Sequence, residues 1–196
     1  MLNRTTAIAV LTAAVFALGM VAVAQTNGVC ERFTFMVANA SKVGPAGADR
    51  LELVVNRWAD EAERDRVLSI LRDNGADKLG EAVCAASDAG YLHWPGYLDY
   101  IVRYAQRIPR PDGGEDVVLA RDRPIWLWWE SASATPAQCQ STTVIQLRLN
   151  KDGRGEGKVS LATKVNVNNE AKTFTLEDYA KQPVVITDVQ RGRSSN

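Results

Sequence analysis

The residue types best suited to chemistry lie on a short Trp-rich segment, residues 125–130. If this segment is a strand, Trp126, Trp128 and Glu130 share one face. Two indole rings can cover a flat ligand such as a sugar, and the carboxylate can accept hydrogen bonds from it. These three residues are therefore the candidate ligand-binding site. The competing interpretation is that the indoles fill the core, as large aromatic side chains usually do.

The single histidine, His93, would have to serve any imidazole-dependent acid–base step. With Asp99 and Glu130 it could form the acid–base set of a secreted or periplasmic hydrolase, provided that the three side chains meet in one cleft. No nucleophile elbow or orienting motif accompanies His93 or Cys84. We therefore assign no catalytic residue and favour a protein that is not an enzyme.

Three cysteines, Cys30, Cys84 and Cys139, allow one disulfide and one remaining thiol. The residues alone leave all three pairings open, and we favour Cys84 with Cys139 because Cys30 lies near a terminus. The cysteine spacing matches no zinc motif, and one histidine is too few for a typical His/Cys cluster. The sequence thus gives no reason to assign a metal or a cofactor.

A glycine-rich motif runs from Asp152 to Lys158. A phosphate-binding loop would need a different glycine spacing and a Ser or Thr after the lysine, where Val159 stands. A calcium loop would need oxygen ligands at alternate positions, which Arg154 interrupts. The motif instead predicts a flexible hairpin between two strands.

The first 24 of the 196 residues have the pattern of an export signal: a short basic start, an apolar stretch, and Ala22-Val23-Ala24 before the expected cleavage point. An uncleaved membrane anchor is the alternative, since the apolar run is nearly as long as a spanning helix. After cleavage we expect no membrane span and a periplasmic or extracellular location. That compartment permits disulfides.

The charge balance argues against a nucleic-acid partner. The chain carries 23 basic and 23 acidic side chains, and the leader removes only Arg4. No basic field therefore exists to hold phosphates. The composition, with 46% hydrophobic residues and five tryptophans, indicates a folded core.

Hydrophobic periodicity predicts a single β-rich domain over residues 25–196, with a helical hairpin at about 60–87. Asp60 and Glu63 are spaced as a capping box for a helix over residues 61–73, and Asp77 can cap a second helix. Alternating segments predict about eight strands, among them 49–58, 100–108, 116–121 and 159–167. If residues 100–121 form the expected hairpin, four arginines could converge as a basic strip: Arg103, Arg107, Arg121 and Arg123. A solvated face is the simpler interpretation.

These elements indicate an α+β, mainly antiparallel fold: a curved sheet or partly closed barrel with an inserted helical hairpin. A two-sheet β-sandwich is the alternative.

Several strings of the sequence resemble a group of small exported bacterial proteins of uncharacterised function. They are Asp112-Gly113-Gly114, residues 120–125 and residues 155–164, and the similarity extends from about Arg57 to Val184. The resemblance implies a bacterial envelope or secreted location, and it implies no activity, ligand or catalytic residue.

The expected function is accordingly that of an exported, non-enzymatic envelope protein, which binds a small ligand or an envelope protein through its sheet. A hydrolase and a structural, oligomeric envelope protein are the alternatives. The oligomer predicts an exposed apolar patch or an unpaired sheet edge.

Overall fold

A computed structural model describes residues 31–39, 47–125, 139, 142–160, 164–182 and 184–192. The helices within these residues are α1 (Glu61–Asn74) and α2 (Leu79–Cys84), with single 3₁₀ turns at Ala76–Lys78 and Tyr179–Lys181. The strands are β1 (Glu31–Asn39), β2 (Ala48–Val55), β3 (Gly90–His93), β4 (Tyr100–Val102), β5 (Tyr104–Pro109), β6 (Glu115–Arg121), β7 (Thr143–Leu149), β8 (Arg154–Ser160), β9 (Val165–Asn168), β10 (Thr173–Leu176) and β11 (Val184–Gly192).

Nine strands of the described residues form one antiparallel sheet in the order β4-β3-β2-β1-β11-β8-β7-β6-β5. The two edge strands, β4 and β5, are consecutive in the chain and separated only by Arg103. Val102 pairs with Gly90 of β3, whereas Tyr104 pairs with Ala120 of β6. One stretch of chain thus belongs to both edges, which brings the sheet close to a closed barrel. The predicted α+β, partly closed barrel with an inserted helical pair is confirmed, and the sandwich alternative is set aside.

The barrel carries one hydrophobic core inside and a second on its outer surface. Inside lie alternate side chains of the sheet, including Phe33, Phe35, Leu53, Leu119 and Ile145, each no more than 2% exposed. Outside, the other face of β5, β6 and β7 is covered by both helices and by the β9–β10 hairpin. This second core contains Val67, Leu71, Leu79, Val83, Tyr104, Val118, Val144 and Phe174. Two-sided burial explains why these strands have apolar residues on both faces.

Helix α1 begins as its sequence predicts. The Asp60 carboxylate accepts a hydrogen bond from the Glu63 amide at 2.8 Å, and the Glu63 carboxylate pairs with Arg57 instead of closing the capping box. Gly75 ends the helix with a positive φ of 101°, and its amide donates to the Leu71 carbonyl. The second helix is shorter than predicted, since Asp77 lies within a 3₁₀ turn and caps nothing with its side chain.

The predicted strand over residues 100–108 was wrong in one respect. Val102 and Tyr104 are two residues apart and were expected on the same face, yet Val102 lies in the inner core and Tyr104 in the outer one. The reason is the change of partner at Arg103, whose amide donates to the Ala120 carbonyl at 3.0 Å. An irregular residue reverses the alternation of every residue that follows it.

Other strand boundaries also differ from prediction. The predicted strand 49–58 ends at Val55, where the chain turns towards α1. The predicted continuous strand 159–167 is instead β8 and β9, which lie in different sheets.

The glycine-rich motif is not a flexible hairpin throughout. Only residues 150–153 form the turn, and Gly155 and Gly157 lie within β8, paired with β7. A Cβ atom at Gly155 would meet the Arg148 carbonyl oxygen at 1.8 Å. These two strands therefore approach each other more closely than any other residue at position 155 would allow.

Within the described part of the chain, no helix combines the length and apolar composition needed to cross a bilayer.

Candidate functional site

The predicted Trp-rich platform lies outside the described residues. Trp126, Trp128 and Glu130 all follow Ile125, the last described residue of that segment. Ile125 is buried in the inner core, and its amide donates to the Thr143 hydroxyl oxygen at 3.0 Å. The platform therefore stays a prediction.

The described part of the barrel interior is packed. Next to Ile125, the gap between Val102, Leu119 and Ile145 is too narrow to admit a water molecule. Because the surrounding side chains are buried by one another, this part of the interior offers no chamber for a small ligand.

An ionic cluster occupies one end of the barrel, where β1, β5, β6 and β11 meet. Arg107 pairs with Glu31, and Arg191 pairs with both Glu31 and Glu115. The Arg107 guanidinium also lies 4.3 Å from the centre of the Trp58 ring. Burial, with the nearby Arg191, lowers the pKa of Arg107. Each of these guanidinium groups has a carboxylate partner, so the cluster closes the barrel end with its charges largely compensated.

Three of the four arginines of the possible strip lie near one another, and Arg107 lies apart from them. Arg107 belongs to the cluster at the barrel end, and Arg103 pairs with Asp88. The Arg121 guanidinium lies 5.1 Å from the centre of the Tyr100 ring, and burial lowers the pKa of Arg121 to about 10. Arg123 is exposed. Burial is the main cause of the lowered pKa of Arg121, and the charges of Arg123 and Arg103 add to it, so the possible strip forms in part, without Arg107.

A buried polar network fastens the β9–β10 hairpin to the barrel. The fully buried Gln146 donates from Nε2 to the Asp116 carboxylate at 2.9 Å and accepts a hydrogen bond from the Leu176 amide at 2.9 Å. Burial raises the pKa of Asp116, although Arg148 and Arg110 oppose the shift. Burial also raises the pKa of Tyr179 to about 12. Gln146 satisfies Asp116 Oδ2 and the Leu176 amide, whereas Asp116 Oδ1 and the Tyr179 hydroxyl make no hydrogen bond among the described residues. The two satisfied contacts favour a structural role for Gln146.

The most exposed apolar side chains lie at the turn between β3 and β4 and on β4 itself. In the described chain, the large hydrophobic residues that remain exposed are Tyr97 (58%), Leu98 (89%) and Ile101 (37%). Gly96 has a φ of 86°, which permits the turn, and the Tyr97 amide donates to the Trp94 carbonyl at 2.9 Å. We call Tyr97, Leu98 and Ile101 the apolar tip.

Two contacts fix the shape of the turn that carries the apolar tip. The Tyr97 ring stacks on Trp94 with centroids 4.2 Å apart, and Trp94 is only 4% exposed because it belongs to the inner core. On the other side, His93 Nδ1 lies 2.7 Å from Asp99 Oδ1. The tip is therefore held in place before any partner binds, which lowers the entropy cost of binding.

Of the predicted hydrolase set, the structure brings together His93 and Asp99, while Glu130 lies outside the described residues. Both side chains of the pair are about half exposed. Among the described residues, His93 makes no hydrogen bond to a serine, threonine or cysteine. The pair could orient an imidazole, but it lacks the enclosed cleft in which acid–base groups are usually tuned.

Cys84 at the end of α2 and Cys139 are joined by a disulfide, with Cα atoms 5.5 Å apart. The carboxylate of Asp122 lies beside it, with Oδ2 3.9 Å from the Cys84 sulfur. Asp122 precedes Arg123-Pro124, a sequence typical of a turn, yet the residue is 3% exposed and its Oδ1 lies 3.7 Å from Arg103 Nε. The disulfide thus lies beside a buried ion pair.

Comparison of the chain with models of protein families, with characterised proteins and with solved structures gave no significant match.

Proposed function

We propose that this chain is an exported, non-enzymatic protein of the bacterial envelope and that it binds a partner protein through the apolar tip. The observation that carries this proposal is the position of Tyr97, Leu98 and Ile101. They are the exposed large hydrophobic residues of the described chain, and all lie within five positions of one another. Exposed apolar residues gathered in one place are typical of interaction surfaces.

The small apolar area of the tip favours a groove on a different protein as its binding partner. Three partly exposed side chains supply roughly 300 Å² of apolar surface, whereas a stable dimer interface buries about 1,200–2,000 Å². A small group of exposed side chains on a turn and the strand that follows it instead suits the central anchor of an interface, inserted into an apolar groove and surrounded by polar contacts. The packed interior of the described barrel favours such a protein partner over a small ligand.

Two features support an extracytoplasmic location. The first is the signal-like pattern of residues 1–24, and the second is the disulfide between Cys84 and Cys139. Disulfides persist mainly in oxidising compartments. The resemblance to small exported bacterial proteins points in the same direction.

The test is a photo-crosslinking amino acid placed at Tyr97 of the chain exported by a bacterial host. We expect one discrete crosslinked product, and we expect Leu98→Asp to remove it while the protein stays folded. Ala171→Asp is the matched control, because it also adds one acid to an exposed turn. A product that survives Leu98→Asp, or the absence of any product, would overturn the proposal. A crosslink to a second copy of the chain would favour the structural oligomer instead.

A second candidate function, a periplasmic hydrolase, rests on the His93–Asp99 contact at 2.7 Å. An aspartate at one imidazole nitrogen can hold the ring so that the other nitrogen acts as a base. The test is hydrolysis of ester, peptide and glycoside model substrates by the purified chain and by Asp99→Asn. Turnover that falls by tenfold or more in Asp99→Asn would support the hydrolase, and no turnover would eliminate it.

The Trp126, Trp128 and Glu130 platform remains the basis for a small-ligand version of the proposal. A ligand that binds the native state raises its thermal stability. A saturable rise with a sugar or lipid that Trp128→Ala abolishes would therefore favour a small ligand over a protein partner.

A further inference from the structure

Three side chains with metal-binding chemistry meet beside β6. The Sγ atoms of Cys84 and Cys139 and a carboxylate oxygen of Asp122 all lie within 4.8 Å of one another. They come from three places in the chain: the end of α2, the turn after β6, and residue 139. The convergence is therefore a product of the tertiary fold, not of a local sequence motif.

We propose that, when the disulfide is reduced, Cys84, Cys139 and Asp122 bind a thiophilic divalent cation such as Zn²⁺. Two thiolates and a carboxylate are ligands that zinc takes, with a water in the fourth position. Tetrahedral zinc, with bonds of about 2.3 Å to sulfur and 2.0–2.2 Å to oxygen, keeps its ligand atoms roughly 3.5–3.8 Å apart. The distance of 3.9 Å between the Cys84 sulfur and Asp122 Oδ2 is already near that value.

The sulfur atoms need only a small movement. A disulfide holds them about 2.0 Å apart, so they must separate by a little under 2 Å, shared between two side chains. Rotation about the Cα–Cβ bonds can provide this, since both cysteines are only partly buried. The Cα atoms can remain near their present separation of 5.5 Å.

Contacts other than the disulfide hold the three ligands together. The Cys139 amide donates to the Asp122 carbonyl at 3.2 Å, which keeps residue 139 beside the turn after β6. Arg103 Nε lies 3.7 Å from Asp122 Oδ1, and Arg103 also pairs with Asp88. A guanidinium on Oδ1 orients the carboxylate so that Oδ2 faces the sulfur, as groups around metal ligands commonly do.

The disulfide and the metal exclude each other. Reduction adds two electrons and two protons to the sulfur pair; with a phosphine reductant, the phosphine takes oxygen from water and becomes its oxide. Zn²⁺ then displaces the two thiol protons as it binds. Oxidation removes the two electrons again and requires the metal to leave. A chain whose cysteines are still thiols would therefore hold Zn²⁺ until an oxidant closed the disulfide.

The test uses the full chain with Cys30→Ser, which removes the third thiol. The protein is reduced with a phosphine, freed of reductant without oxygen, and titrated with Zn²⁺ against a chelating dye. We expect one Zn²⁺ per chain, and Cd²⁺ should produce a thiolate charge-transfer absorption. Asp122→Asn should weaken binding by tenfold or more. Asp116→Asn, which alters another buried aspartate, should leave it unchanged.

A second measurement separates a metal ligand from a residue that only supports folding. Bound Zn²⁺ should slow closure of the disulfide by an added disulfide oxidant, measured by alkylation of free thiols, and the slowing should disappear in Asp122→Asn. Asp122→Glu keeps a carboxylate and should bind Zn²⁺ even if Asp122→Asn fails to fold. The proposal is overturned if the folded, reduced protein binds no stoichiometric Zn²⁺. It is also overturned if reduction unfolds the chain, or if folded Asp122→Asn binds as tightly as the parent.

Discussion

Replacing Gln146 with methionine tests the polar network that fastens the β9–β10 hairpin to the barrel. Methionine has a similar volume and shape, so the change removes two hydrogen bonds while creating little empty space. One bond is donated to the Asp116 carboxylate and the other is accepted from the Leu176 amide, each at 2.9 Å. The substitution therefore isolates the loss of polar partners from the loss of packing.

The expected loss of stability depends on the hydrogen bonds that the Leu176 amide and the Asp116 carboxylate lose and on those that remain to them. The buried Leu176 amide loses its acceptor, which costs about 1–3 kcal/mol. Asp116 loses a donor to a charged group, worth about 1.5–3 kcal/mol. Arg110 and Arg148, at 3.7 and 3.9 Å, offset part of that second loss. We expect the free energy of unfolding to fall by about 2–5 kcal/mol, a large share of the about 5–15 kcal/mol that domains have.

Urea denaturation measures this change, and Gln190→Met is the matched control. Gln190 is exposed on β11, so its replacement should change the free energy of unfolding by no more than about 0.5 kcal/mol. Amide hydrogen exchange gives the local readout, since the Leu176 amide should exchange faster while amides of β1 and β2 remain protected. A loss below about 1 kcal/mol with unchanged exchange at Leu176 would refute this account of the network.

Three further changes have defined outcomes. Burial raises the pKa of Asp116 in the folded state, so protonated Asp116 stabilises the fold at pH values below its unfolded pKa. This stabilisation is lost as the pH rises through the folded pKa. Denaturation across pH 2–7 should therefore show the stability of the parent falling relative to that of Asp116→Asn. Cys139→Ser removes a disulfide that joins residues 55 positions apart, and the chain-entropy relation predicts that the free energy of unfolding falls by about 4 kcal/mol. Calorimetry measures this change, and an unchanged melting temperature would contradict the prediction. Gly155→Ala places a Cβ atom against a backbone carbonyl and should cost more than Gly113→Ala, where the space is open although φ is positive; equal costs in denaturation would show that β8 can move away from β7.

Local signals in the sequence were sufficient for much of the fold. Asp60 caps α1 and Gly75 ends it because both effects depend on residues within one helical turn. Phe33, Phe35 and Val37 likewise alternate with residues of the other strand face, and the structure places all three in the inner core, where β1 pairs with β2 without a break.

The change of partner at Arg103 could not be predicted from the sequence. Val102 and Tyr104 are both apolar and two residues apart, which fits one continuous strand as well as it fits two. Which pairing forms is decided by β3 and β6, and these strands are distant from each other in sequence. The separation of Arg107 from the other three arginines follows from that one long-range choice.

The candidate sites are harder to predict from the sequence, because they depend on exposure and on contacts between distant parts of the chain. Tyr97 and Leu98 beside a Pro-Gly turn look the same in sequence whether they are buried or exposed, although apolar residues flanking a turn were a signal that could have been weighed. Nothing near Asp122 in the chain reveals that α2 brings a cysteine to its side chain.

The pairing of β1 with β11 has a consequence for how the barrel is completed. These are the first and last strands of the described chain, yet they lie side by side, with Arg32 opposite Gly192. Before β11 is available, β1–β4 and β5–β8 can form only two separate ribbons, each with an open edge. If the chain is delivered from its N-terminus, by synthesis or by transport through a membrane, the barrel cannot close until its final strand emerges. Non-local closure of this kind is slow, and open strand edges invite association with other chains. β11 is therefore the strand that closes the barrel, and the time at which it becomes available determines how long the edges of β1 and β8 stay unpaired.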